Sequence, residues 1–129
     1  MKKIQLQKHN DVRGNLTFFQ NNDQIPFKII RTYWIYDVSG GETREGHAFK
    51  KSEEFIIALS GSFDIEIKNQ GVNKTFKLSR PFYGIYIPKL TWRKLTNFST
   101  NTVALIVAST KYDKEDYLRD YKTFKKLYS

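Results

Sequence analysis

The chain contains no cysteine. Disulfide staples, cysteine-bound zinc and thiol catalysis are excluded together. Histidine is almost as scarce, with only His9 and His47 among 129 residues. An ordinary three-histidine metal site cannot be assembled from two, so neither a metal nor another cofactor is expected. No segment approaches the roughly 18 apolar residues that cross a bilayer, and no apolar N-terminal run resembles a signal peptide. A cytoplasmic protein without a membrane partner is the expectation. Carboxylates are few beside the cations, 13 Asp and Glu against 22 Lys and Arg, for a formal net charge of +9. The lysines are scattered as pairs, however, and no glycine-rich phosphate loop, RNP-like aromatic motif or zinc knuckle accompanies them. Nucleic acid is therefore not expected as a partner, whereas a phosphorylated small molecule suits the charge.

Aromatics are plentiful, with 8 Tyr, 10 Phe and 2 Trp. They argue against disorder and for a filled interior or an aromatic-lined cleft. The length suits one domain, residues 1–129, able to build its core without staples.

Strand signals dominate. Ile4-Gln5-Leu6-Gln7 alternates, and Asp11-Val12-Arg13-Gly14-Asn15 reads as a turn before Leu16-Thr17-Phe18-Phe19. Residues 29–38 are rich in β-branched and aromatic side chains and close on Ser39-Gly40-Gly41. Residues 54–63 read as a buried strand ending in a glycine turn. Phe63–Lys68 and Lys74–Leu78 alternate on either side of Asn69-Gln70-Gly71, which predicts a hairpin over residues 62–78. Gly84–Pro88 and Val103–Ser109 are two more strands, the second apolar throughout and expected to be central. Short strands with turns about every ten residues predict a sandwich or barrel. Only the tail differs. Tyr117, Leu118, Tyr121, Phe124 and Leu127 recur at three- and four-residue spacing, which predicts one amphipathic helix, or two short ones, over residues 113–128.

The stretch Arg44-Glu45-Gly46-His47-Ala48-Phe49-Lys50-Lys51 holds a histidine among cations. Histidine exchanges a proton near neutral pH, and the flanking charge favours an anionic ligand. A structural histidine is the plainer alternative. Arg31 and Tyr33 are two apart on one strand and so share a face. If Tyr33 faces the interior, Arg31 does too, where an unpaired guanidinium is costly without an anion.

In order along the chain stand Asp11-Val12-Arg13-Gly14-Asn15-Leu16, Ile25-Pro26-Phe27-Lys28-Ile29-Ile30-Arg31-Thr32-Tyr33-Trp34-Ile35, and the His47 stretch. Leu59-Ser60-Gly61-Ser62, Tyr83-Gly84-Ile85-Tyr86-Ile87-Pro88, Thr91-Trp92-Arg93, Val107–Asp113 and Asp116–Tyr121 follow. The set resembles the sugar 3,4-ketoisomerases of the FdtA/QdtA, or WxcM-like, group over nearly the whole chain. The resemblance implies an all-β fold, a cupin double-stranded β-helix or jelly roll with a short C-terminal helical tail. It also implies a homodimer and a metal-independent 3,4-ketoisomerase acting on a dTDP-linked 4-keto-6-deoxyhexose. The product would be a 3-keto sugar for deoxyamino-sugar and surface-polysaccharide synthesis. A nucleotide-sugar-binding cupin without catalysis is the alternative from another class.

Within that resemblance His47 is the base, with Tyr33 and Tyr86 as possible partners. Arg31, Arg44 and Lys50 would hold the diphosphate, and Trp92 and Tyr86 would line the barrel. Glu54, where relatives often have glutamine, is a second acid/base candidate, while Glu53 is expected to be solvated or ion-paired. Arg13 and Arg93 are candidates to select the face of C4 that is protonated. Phe49 is the departure: the group usually writes His-x-His, and phenylalanine offers no donor or acceptor there.

Overall fold

A computed structural model describes residues 1–128 of the chain. Ten strands run in the order β1 (Lys2–Gln5), β2 (Arg31–Ile35), β3 (Arg44–Phe49), β4 (Glu54–Ser60), β5 (Phe63–Asn69), β6 (Val72–Leu78), β7 (Tyr83–Ile87), β8 (Trp92–Thr96), β9 (Val103–Ala108) and β10 (Tyr117–Leu118). One helix, α1 (Tyr121–Tyr128), follows them. The strands form two five-stranded sheets, β1-β7-β4-β9-β2 and β10-β3-β8-β5-β6. Among the described residues no helix is long and apolar enough to cross a membrane.

The sequence pattern explains this layering. On β5 the side chains Phe63, Ile65 and Ile67 are buried while Asp64, Glu66 and Lys68 reach solvent. The buried set meets Ile56, Ala58, Ile85, Ile87, Leu95 and Ile106 between the sheets, forming the main core. The β5–β6 hairpin turns on Gln70 and Gly71, both at positive φ, with Asn69 opposite Val72. That two-residue turn matches the twist of the paired strands. The continuous apolar run of β4 is buried on both faces. Ile56 and Ala58 enter the main core, whereas Phe55 and Ile57 lie beneath Leu6, Ile25 and Phe27 of the N-terminal segment. Gly84 lies opposite Ile57, and a Cβ there would stand 2.5 Å from the Ile56 carbonyl and 2.6 Å from the Phe55 ring. β9 runs between β4 and β2, the interior place its apolar sequence predicts.

Two expectations are corrected. Leu16–Phe19 is not a strand: Leu16 makes one isolated bridge to His9, and no neighbouring strand continues the ladder. The first half of the tail is not helical beyond a 3₁₀ turn at Lys114–Asp116. Tyr117 and Leu118 instead pair with Phe49 and Ala48, because the free edge of β3 offers backbone partners there. The Asp116 carboxylate fastens this segment by accepting the N–H groups of Lys51 at 2.7 Å and Ser52 at 3.2 Å. Only then does the chain form α1, whose buried Phe124 packs on Trp92 and Ala48.

Candidate active site

His47 lies on β3, past a bulge after Arg44, directly across from Arg93 of β8. Its Nε2 is buried and has no hydrogen-bond partner among the described residues. The Phe49 ring meets it edge-on at 4.9 Å, and the Tyr117 ring lies 5.4 Å away. Burial pushes the imidazole pKa down to about 3, with Arg93 adding in the same direction and a backbone hydrogen bond at Glu45 opposing. At neutral pH His47 is uncharged, the form able to accept a proton.

Arg93 is fully buried. Its Nη1 donates to Glu54 Oε1 at 2.5 Å, and its Nε and Nη2 donate to the Thr91 carbonyl at 3.3 and 3.2 Å. The guanidinium covers the Phe49 ring at 5.0 Å. Glu54 Oε2 accepts the Tyr33 hydroxyl, so each carboxylate oxygen has a donor. A buried charge pair is tolerable when its hydrogen bonds are satisfied in this way. Burial raises the Glu54 pKa, with Arg93 the leading opposing influence. Tyr33 is raised as well, first by burial and then by the neighbouring Glu54 charge.

The register explains the convergence. Arg31 of β2 and Glu54 of β4 both lie opposite Ala108 of β9, whose lone methyl leaves the row open between them. Arg31 and Tyr33 share the inward face of β2, with Thr32 and Trp34 exposed. Arg31 Nε and Nη2 are buried without a partner, and its guanidinium lies between the rings of Tyr33 at 5.2 Å and Tyr112 at 5.8 Å. Thr110 Oγ1 is likewise buried and unpaired. Unpaired polar atoms of this kind are rare in folded interiors, and a ligand's anionic or hydroxyl oxygen would satisfy them.

His47, Tyr33, Arg31, Glu54, Arg93 and Phe49 therefore come together, and five others do not. Tyr86 lies between the inward Ile85 and Ile87 and so faces away from His47, packing near Phe27 and donating to Glu53 Oε1 at 2.6 Å. Trp92 alternates with the inward Arg93, so its ring lies under α1 against Tyr121 and Phe124 instead of lining the barrel. Arg44 and Lys50 are exposed, one before the bulge and one past the end of β3, which leaves half-buried Arg31 as the inward member of the expected anion clamp. Arg13 stands at the tip of the exposed 9–16 turn, its side chain 86% accessible and forked onto Asp11 by two 2.9 Å bonds. Of the two arginines expected to select a face of C4, only Arg93 faces His47.

Sequence reasoning passed over Tyr117, Tyr112 and Arg119. Tyr117 packs on Phe49 at 4.6 Å, and Arg119 caps Tyr117 at 4.3 Å. Reading residues 113–128 by helical period hid Tyr117 and Arg119, although the short Asp113–Asp120 stretch with two further acids is a poor helix interior.

The family model FdtA: WxcM-like, C-terminal, matches residues 1–129. A TDP-4-oxo-6-deoxy-alpha-D-glucose-3,4-oxoisomerase of Aneurinibacillus thermoaerophilus is 37% identical over 125 residues, covering 97% of this chain and 90% of that protein. The crystal structure of the WlaRB TDP-quinovose 3,4-ketoisomerase from Campylobacter jejuni superposes with a TM-score of 0.93 at 38% identity, covering 97% of this chain and 96% of that one. QdtA, a sugar 3,4-ketoisomerase from Thermoanaerobacterium thermosaccharolyticum solved with TDP, gives 0.91 at 36% identity over 95% and 90% of the two chains. Whole-length sequence agreement and the shared double-sheet barrel lead to one conclusion: the chain belongs to the FdtA, or WxcM-like C-terminal, family of cupin-type 3,4-ketoisomerases.

Proposed function

We propose that this chain is a 3,4-ketoisomerase that moves the ketone of a TDP-linked 4-keto-6-deoxyhexose from C4 to C3. The carrying observation is His47: a neutral imidazole whose Nε2 is buried and unpaired, opposite Arg93, while Arg31 beside Tyr33 leaves its own Nε and Nη2 unpaired. The C4 carbonyl acidifies the proton on C3. His47 Nε2 takes that proton, an enediolate forms, and the imidazolium returns the proton to C4. Positioned proton transfer of this type contributes typically ~10²–10⁴-fold. Arg31 offers its free Nε and Nη2 to an anionic oxygen of the substrate, where burial strengthens a charge-assisted bond. Tyr33 meets a sugar oxygen, and Phe49 forms an apolar wall that holds the imidazole edge in place. Exposed Arg44 and Lys50 at the rim draw in the diphosphate.

The relatives' names support the substrate class, since those proteins act on TDP-linked sugars. A single domain over residues 1–129, a homodimer and a cytoplasmic location complete the reading, with the 3-keto product destined for amination. The test is to incubate the protein with TDP-4-keto-6-deoxyglucose in D₂O and follow C3 and C4 by NMR. Deuterium uptake and a new C3 ketone are expected. No uptake and no new ketone overturn the proposal, and TDP binding without turnover would favour a nucleotide-sugar-binding module.

A further inference from the structure

Isomerisation moves two protons, and His47 accounts for one. The carbon-bound proton passes from C3 to C4, while the hydroxyl proton on O3 must leave and another must arrive on O4. His47 cannot carry both at once. Phe49, beside it, has no atom that binds a proton. Arg31 and Arg93 stay protonated and accept nothing. Thr110 Oγ1 has no hydrogen-bond partner among the described residues. Tyr33 differs, because its hydroxyl already donates to Glu54, the carboxylate paired with Arg93 across from His47.

We propose that Tyr33 and Glu54 form a proton relay for the sugar oxygens, Tyr33 touching O3 and O4 and Glu54 holding the proton in transit. The proposal rests on the ketoisomerase reading. In the enediolate O3 and O4 lie side by side in one plane, so a single phenolic oxygen reaches both. The O3–H proton passes to Tyr33 Oη as the Tyr33 proton passes to Glu54 Oε2. The lone pair on O3 forms the C3=O3 bond, the C3=C4 pair takes the proton from the His47 imidazolium at C4, and that C–H bond closes. Glu54 then returns its proton to Tyr33, which protonates O4. His47, Tyr33 and Glu54 all end as they began, and nothing is oxidised or reduced overall. Burial favours the protonated Glu54 carboxyl, and Arg93 on Oε1 limits how tightly it is kept. Tyr33 is the catalytic residue here; Glu54 acts through it.

The test separates the two proton transfers. In D₂O with TDP-4-keto-6-deoxyglucose, one rate is deuterium uptake at C3 and the other is formation of the C3 ketone. In Tyr33→Phe and Glu54→Gln, uptake at C3 should stay within about tenfold of wild type. Ketone formation should fall about a hundredfold or more, so the ratio of the two rates rises. Glu54→Asp, which keeps a carboxyl, should recover part of the ketone formation that Gln loses. Equal losses in both rates, or an unchanged ratio, overturn the relay. Should Glu54→Gln fail to fold, Tyr33→Phe decides on the same ratio, since it leaves the Glu54–Arg93 pair in place. Wild-type protein without either rate overturns the ketoisomerase reading and the relay together. Wild type that forms the ketone, with no ratio change in the variants, overturns the relay alone.

Discussion

Lowering the pH should weaken this protein through His47 in particular. The folded imidazole has a pKa of about 3 against 6.5 for the free side chain, chiefly because burial penalises its charge. The folded chain thus binds fewer protons than the unfolded chain between those values. The stability linked to His47 is fully present above about pH 6.5 and is lost as pH falls toward 3. Each pKa unit corresponds to about 1.4 kcal/mol, so two units of acidification from pH 6.5 to about 4.5 remove about 3 kcal/mol. That is a large fraction of the ~5–15 kcal/mol that holds a typical domain together. The assay is urea unfolding of wild type and His47→Gln at about pH 7.5 and about pH 4.5, followed by tryptophan fluorescence. Carboxylates shared by the two proteins cancel in the double difference. Wild type should lose about 3 kcal/mol more than the variant on acidification. Equal losses, or a His47 ring signal that titrates near the free value in NMR, would refute the assignment of a dry, cation-flanked imidazole.

Two further substitutions probe the cavity floor. Arg93→Met strips Glu54 of its buried cation and should cost about 3–5 kcal/mol in denaturant unfolding, with a good part restored by adding Glu54→Gln; an unchanged midpoint would show that the pair contributes nothing. Phe49→His places a polar ring where Arg93 now covers carbon, and should cost about 1–3 kcal/mol. Its ketone formation should stay within about threefold of wild type, because the relay bypasses position 49; a large gain in rate would show that this position limits the chain.

The double-sheet architecture was readable because alternation is unambiguous where one face is dry. Phe63, Ile65 and Ile67 could only face inward, and Gln70-Gly71 could only turn. The same rule places Tyr86, between two inward isoleucines, on the opposite face of β7. Thr91-Trp92-Arg93 was harder: both large side chains are buried, one under a helix and one beside His47, and burial alone gives no sign of which way each faces. Arg31 was legible from the strain of its position, since sharing a face with Tyr33 demanded an anion or a partner. Arg44 was not, because a bulge resets the facing of β3 between it and His47. The tail misled for a physical reason. Tyr117 and Leu118 fit helical spacing with Tyr121 and Phe124, yet the open edge of β3 offered two backbone partners that local sequence cannot reveal.

The Asp116 anchor also orders events in time. The strands that carry His47, Arg31, Glu54 and Arg93 all precede residue 113, so during synthesis nine of the ten strands are made before the Asp113–Tyr117 segment exists. The Asp116 carboxylate on the Lys51 and Ser52 amides, together with the pairing of Tyr117 and Leu118 on the edge of β3, brings Tyr117 onto the imidazole. A ribosome-bound chain stalled before that point lacks the Tyr117 ring that lies 5.4 Å from the imidazole, so this side of the site is completed last.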